Sequence, residues 1–202
     1  MIENLNTKLD SHENLTDEEM THAINLMMKG EIEQHLIEHF LLGLNKKGIT
    51  VREISSAAKV MREKSLKFDL KDSDIIDTCG TGGTGLHIFN CSTASAIVAT
   101  AAGAKVSKHG NRGISSKSGS ADFLVEAGAN INHEREQLAE IFNKVGFVFL
   151  FAPLHHLSMK HVMPARQNLA TKTIFNLLGP HTNPSNACLL YTSDAADEEA
   201  WG

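Results

Sequence analysis

The chain has 202 residues, 42% of them hydrophobic and 21% charged, with a formal net charge of −5. This length and apolar content suit one ordinary core, or a small domain with part of a larger one, and exclude a chain disordered by composition. Residues 188–202 hold Asp194, Asp197, Glu198 and Glu199 and no Lys or Arg, so the rest of the chain is nearly neutral and a broad nucleic-acid face is not expected.

The N-terminus, MIENLNTKLD, lacks the basic-then-apolar order of a signal peptide, and no apolar run approaches the roughly 20 residues of a membrane helix. A cytoplasmic protein is the expectation. Thr16-Asp17-Glu18-Glu19 reads as a capping box opening a helix with Met20, Ala23, Ile24, Met27 and Met28 on one face and Gly30 as its stop. Leu36, Ile37, Phe40, Leu41 and Leu44 form a second stripe ending at Gly48. Thr50-Val51-Arg52-Glu53 opens a third helix with Ile54, Ala57, Ala58 and Met61. Residues 1–71 are therefore expected to form a helical bundle domain whose methionines fill its core. Within it, His35-Leu36-Ile37-Glu38-His39 fits the inverted zinc-protease pattern, but it lies mid-helix without a third ligand and reads as an accidental match.

From Asp74 the pattern alternates. Ile75-Ile76 is a short strand core, followed by the loop Cys79 to Gly85 (CGTGGTG) and a small-residue helix that Ser92-Thr93 can cap and Gly103 ends. Ala104 to Ser107 is a second strand leading into KHGNRG, then a serine-capped helix that stops at Gly128. A third cycle places a strand at Ala129 to Ile131, a helix with Leu138, Ile141, Phe142 and Val145 on one face, and the apolar strand FVFLFAP. The expected fold is α/β with a helical N-terminal domain, its parallel sheet flanked by helices and carrying ligands at the strand carboxyl ends. Two glycine-rich loops, each between a strand and a helix, offer N–H groups to a phosphate-rich ligand. Cys79, Cys91 and Cys188 have no CxxC spacing and suit a reducing compartment, and Cys79 and Cys91, flanking the first loop, read as small buried residues.

DTCGTGGTGLHIFNCSTAS, VSKHGNRGISSKSGSADFLVEAG and FAPLHHLSMKHVMPARQNLATKTIFNLLGP closely resemble, in order, segments of the anthranilate phosphoribosyltransferase family of tryptophan biosynthesis. The resemblance implies transfer of the phosphoribosyl group of phosphoribosyl pyrophosphate to the amine of anthranilate, with magnesium and release of pyrophosphate. It also implies a homodimer formed through the helical part, with no nucleic-acid or membrane partner. For phosphoribosyl pyrophosphate it points to Gly80, Gly82, Gly83 and Thr84 of the first loop, and to Asn90, Cys91, Ser92 and Thr93 at the next helix start. Lys108, Asn111, Ser115, Ser116 and Ser120 follow from the second loop. Ser92 also matches a magnesium ligand. Gly80, His109, Asn111 and Arg166 match the anthranilate pocket, Arg166 offering a guanidinium fork to the carboxylate. No catalytic acid or base is implied, because the amine is already a nucleophile and the site has only to stabilise the departing pyrophosphate.

Read alone, Ser92-Thr93 would be a cap and Arg166 a surface arginine. The chain also departs from the family's pattern. Thr84 stands where GTGGDG has an acid, and Ile88 where a hydroxyl-bearing residue is usual. The resemblance stops near Ala187, before an Asp-Glu pair that binds magnesium in the family, and that role is not carried onto Asp197 or Glu198. The expected domains are 1–71 helical, 72–187 a partial α/β phosphoribosyltransferase domain with an incomplete sheet, and 188–202 a tail outside the family, the fragment itself being inactive. A nucleoside phosphorylase-like enzyme is an alternative, but its Lys-x-Ser-Thr-Gly-Gly pattern is missing here. A non-catalytic nucleic-acid-binding relative is another, disfavoured by charge.

Overall fold

Local chemistry sets the helix starts of the N-terminal part in the computed structural model, which describes residues 2–71, 74–80, 90–113, 118–187 and the backbone of 189–190. Helix α1 spans Ile2–Asp10, α2 Asp17–Lys29, α3 Gln34–Lys47 and α4 Val51–Lys64. Both expected capping boxes form. The Thr16 hydroxyl accepts from the Glu19 N–H at 3.2 Å while Glu19 Oε2 accepts from the Thr16 N–H at 2.9 Å. Thr50 and Glu53 make the same exchange. Gly30 ends α2 at φ 77, and a Cβ there would meet the His161 ring at 2.6 Å, so both backbone and space require glycine. Met20, Met27, Ile37, Phe40, Leu41 and Leu44 are fully buried together. Helix α1, which carries Ile2, Leu5 and Leu9 into the same core, was not anticipated from the sequence.

The α/β part begins with β1, Ile75–Asp77, then α5, Cys91–Ala101, and β2, Lys105–Gly110. Helices α6, Ser120–Glu126, and α7, Arg135–Val145, precede β3, Phe147–Phe151, and the short α8, Ala152–His155. A 3₁₀ turn at Leu157–His161 leads to α9, Met163–Leu169, and α10, Ile174–Leu178. The last described strand is β4, Leu189–Leu190. The sheet is parallel in the order β3-β2-β1-β4, with Ile75 opposite Lys105 and Val106 opposite Phe147.

Several local expectations give way to tertiary context. The segment Ala129 to Ile131 is not a strand: β2 and β3 pair directly, leaving no edge between them, and Ile131 instead buries as loop against Ala121, Leu124 and Phe149. Val145 ends α7 61% exposed. The cap of α5 is Asn90, whose side chain accepts from the Thr93 N–H, while Ser92 and Thr93 lie inside the first turn. Gly119 rather than a serine caps α6, with Asp122 Oδ2 accepting the Gly119 N–H at 2.8 Å. Strand β2 continues through Lys108, His109 and Gly110, so the first half of KHGNRG is strand and not loop.

The chain divides into two compact units that do not follow its linear order: residues 1–65 with 156–181, and 66–155 with 182–202. The expected division at residue 71, with everything to 187 in the α/β part, therefore differs from the packing. Val162, Ala165, Ile174, Phe175 and Leu178 return to the helical core. Gln34 fixes this return, its amide donating to the His161 carbonyl at 3.0 Å and accepting from the Ala165 N–H at 3.1 Å. The α/β unit is built around Phe68, Ile75, Leu138, Phe142, Val148 and Leu150.

Candidate active site

The carboxyl ends of β1 and β2 bring together residues about thirty positions apart. Lys108, on β2, is 1% exposed, and its ammonium donates to Thr78 Oγ1 at 3.2 Å, the Thr78 carbonyl at 3.5 Å and Ser92 Oγ at 3.4 Å. The Thr78 hydroxyl donates to the Ser92 carbonyl at 2.7 Å. Asn90 Oδ1 accepts from the Thr93 hydroxyl at 2.8 Å and the Ser92 hydroxyl at 3.3 Å. A cation held by neutral oxygens at the start of a helix suits a polyanion. Burial lowers the Lys108 pKa from its usual range, opposed by the Asp77 charge.

Asp77 lies behind this cluster with no exposed surface. Burial pushes its carboxyl up to about 6, against the opposing pull of the Asn183 amide, the Lys108 charge and the His109 and Cys79 N–H groups. Burial, followed by the Asp77 charge, pushes the Cys79 thiol up to about 12, where it is inert as a nucleophile. Cys91, expected to be buried, is exposed at the first position of α5, because the helix buries Thr93 and Ala96 instead.

The second loop is fastened at both ends. Asp122 Oδ2 accepts the N–H groups of Gly113 at 2.9 Å and Gly119 at 2.8 Å, and Arg112 pairs with Oδ1 at 3.0 Å. These backbone donors, more than Arg112, hold the Asp122 carboxyl below its usual range. Asn111 and Ser120 meet here, the Ser120 hydroxyl donating to the Asn111 carbonyl at 3.3 Å. Gly110 has no room for a Cβ, which would strike the Ser120 side chain and come within 2.7 Å of Phe149. Gly80 is exposed, and among the described residues nothing lies within 4 Å of where its Cβ would be.

The structure therefore gathers Asn90, Ser92, Thr93 and Lys108, and separately Asn111 and Ser120. His109 is buried on β2 with its N–H bound to Asp77. Arg166 belongs to the helical unit. Its guanidinium lies 5.7 Å from the Phe175 ring centroid and donates to Met163 Sδ at 3.8 Å, and burial lowers its pKa. No ion pair with a carboxylate is seen for it among the described residues. Gly82, Gly83, Thr84, Ile88, Ser115 and Ser116 lie outside the described residues. Asp77, Thr78 and Asn183 were missed from sequence; the one local signal was an acidic residue closing a buried strand just before a glycine loop.

His35 pairs with Glu33 at 3.3 Å, His39 with Asp10 at 3.0 Å, and Glu38 accepts from Asn168 at 2.9 Å, so the inverted zinc-protease pattern is spent on surface pairs. Among the described residues no three His, Cys, Asp or Glu side chains are grouped to hold a metal. None of the helices among them is long and apolar enough to cross a membrane.

The a/b domain of a glycosyl transferase family matches residues 72–195, and the helical bundle domain of a glycosyl transferase family matches residues 3–65. The chain belongs to the glycosyl transferase family. The a/b match runs past Ala187 into the stretch expected to lie outside the family, in keeping with β4 pairing there with β1. The anthranilate phosphoribosyltransferase of Hydrogenovibrio crunogenus is 49% identical over 180 residues, 89% of this chain and 53% of that protein. Among solved structures, the anthranilate phosphoribosyltransferase of Thermus thermophilus superposes with a TM-score of 0.82 at 39% identity, covering 90% of this chain and 55% of its own. The Saccharomyces cerevisiae enzyme, solved with PRPP and Mg, gives 0.81 at 30% identity over 91% and 55%. This glycosyl transferase chain thus spans about half the length of the relatives it matches.

Proposed function

We propose that the protein carrying this chain transfers the phosphoribosyl group of phosphoribosyl pyrophosphate to anthranilate, in tryptophan biosynthesis. The observation that supports this most directly is the buried Lys108 ammonium set against Thr78 and Ser92, in a chain 49% identical to an anthranilate phosphoribosyltransferase. Displacement at the anomeric carbon leaves negative charge on pyrophosphate, and Lys108 with the donors at the start of α5 would stabilise it. Gly80, Gly82, Gly83, Thr84 and Cys91 would lie along the same phosphates, with Ser115 and Ser116 joining Asn111 and Ser120 in the second loop. Arg166 would receive the anthranilate carboxylate.

The donor set also bears on magnesium. Ser92 Oγ, Thr78 Oγ1 and Asn90 Oδ1 are neutral oxygens, and the Lys108 ammonium lies 3.4 Å from Ser92 Oγ. A hard divalent ion prefers carboxylate or phosphate oxygens, so these residues fit magnesium delivered on the pyrophosphate, with Ser92 as an added ligand, better than a resident ion. A homodimer formed through the helical part and a cytoplasmic location belong to the same proposal.

The test is a pair of substitutions in the full-length protein. Lys108→Ala should raise the KM for phosphoribosyl pyrophosphate by about tenfold or more and spare that for anthranilate, while Arg166→Ala should do the reverse. Equal effects of each substitution on both substrates would sink the assignment.

A further inference from the structure

Strand β1 ends at Asp77 while β2 continues to Gly110, so backbone groups of β2 beyond the Ile76–Val106 pair need other partners. Two side chains supply them. Asp77 Oδ1 accepts from the His109 N–H at 3.2 Å, and the Asn183 amide donates to the Ser107 carbonyl at 2.8 Å. The two are joined to each other, Asn183 Nδ2 donating to Asp77 Oδ2 at 2.8 Å. Lys108 is therefore held on both sides in the chain by one buried pair. Asp77 Oδ1 also accepts the Cys79 N–H at 2.9 Å, which fixes the entry to the first glycine loop. Asn183 is set in turn by its own turn, its Oδ1 accepting the Ser185 N–H and hydroxyl, both at 2.8 Å.

The amount of polar structure is more than strand packing requires. A carboxyl with no exposed surface is expensive to desolvate, and an apolar residue closing β1 would avoid that cost. What an apolar residue could not do is tie Cys79, His109 and Asn183 to one point, or place a negative charge behind a buried ammonium. The geometry points to Asp77 and Asn183 as a positioning pair that fixes Lys108 and the mouth of the glycine loop for the pyrophosphate, and so acts on phosphoribosyl pyrophosphate through residues other than itself. This rests on the reading of Lys108 as a phosphate ligand.

The experiment compares Asp77→Asn, Asn183→Ala and Lys108→Ala in the full-length protein at a pH near 8, with both Michaelis constants measured on protein whose circular dichroism matches the parent. Asp77→Asn keeps the size of the side chain but sets an amide against the Asn183 amide. It should lower kcat/KM for phosphoribosyl pyrophosphate by about tenfold or more, with the KM for anthranilate nearly unchanged. Asn183→Ala should show the same substrate bias to a smaller extent. If Lys108→Ala is biased toward phosphoribosyl pyrophosphate and the pair variants are not, the positioning role is wrong while the phosphate reading stands. If Lys108→Ala itself shows no bias, the underlying reading fails and the inference with it. Loss of folding in both pair variants would make the pair a structural brace alone and would also overturn the proposal.

Discussion

Asp77 shows what a single buried group does to stability. Its folded carboxyl holds the proton up to about pH 6, against the ordinary 3.8, so between those values the folded state binds more protons than the unfolded chain. That contribution is fully present below about 3.8 and lost as the pH rises through about 6. A shift of this size corresponds to about 3 kcal/mol. In Asp77→Asn the group cannot titrate, and because all other groups are shared, the stability of the parent relative to this variant should fall by about that amount between about pH 4 and about pH 7. Urea unfolding of both proteins across that range checks it; a constant difference would mean that Asp77 titrates as an exposed carboxyl does. Little of this was legible in the sequence, because two of the partners of Asp77, His109 and Asn183, lie 32 and 106 positions away. Lys108, Ser92 and Asn90 were legible as ligand residues only through the order of whole motifs. Singly, each has a commonplace structural reading.

At the scale of elements, what the sequence exposed was local. The capping boxes at Thr16 and Thr50 depend on residues three apart, and both formed where the pattern placed them. Their energetic roles nevertheless differ. The Thr16 box is exposed, whereas Glu53 is fully buried and accepts from the Leu15 N–H at 2.9 Å, the Thr50 N–H at 2.8 Å and the Lys47 ammonium at 2.9 Å. One carboxylate thus joins the segment before α2, the end of α3 and the start of α4. Lys47 itself is only 2% exposed at its side chain. Glu53→Ala would leave the Leu15 and Thr50 N–H groups without their acceptor and take one of three acceptors from the Lys47 ammonium, which keeps Asn14 Oδ1 and the Gly48 carbonyl, and should cost about 3 kcal/mol. Thr16→Ala loses an exposed cap and should cost about 1 kcal/mol. Denaturant midpoints compared at equal m-value measure both, and similar losses would show that the Glu53 network adds nothing beyond capping. The strand expected at Ala129 to Ile131 failed for the opposite reason: three residues carry too little pattern, and sheet topology decided the matter.

The molecule as a whole is less linear than its sequence suggests. Alternation of strands and helices correctly indicated a parallel α/β sheet after a helical part, but nothing in the periodicity of 156–181 marked that stretch as returning to the helical unit. Its helices are short, α9 and α10 holding 7 and 5 residues, and such segments are not stable by themselves. They fold because Ile174, Phe175 and Leu178 enter a core already lined by α2, α3 and α4, and because Asn45 of α3 donates to the Lys172 carbonyl just before α10.

If that core is one cooperative unit, damage to the returning segment must be felt in helices more than a hundred residues earlier in the chain. Ile174 is fully buried, and Ile174→Ala removes packing worth about 2–5 kcal/mol. Native-state hydrogen exchange should then show the slowest amides of α3 and α4 losing protection by the same free energy as those of α9 and α10. Gln34→Ala offers a milder version, since it removes the two hydrogen bonds to His161 and Ala165 without opening a cavity in the apolar core. It should lower the same set of amides by a smaller, shared amount. Exchange that accelerates only within residues 156–181, with α3 and α4 unchanged, would mean that the returning segment is docked on a bundle that is already complete without it.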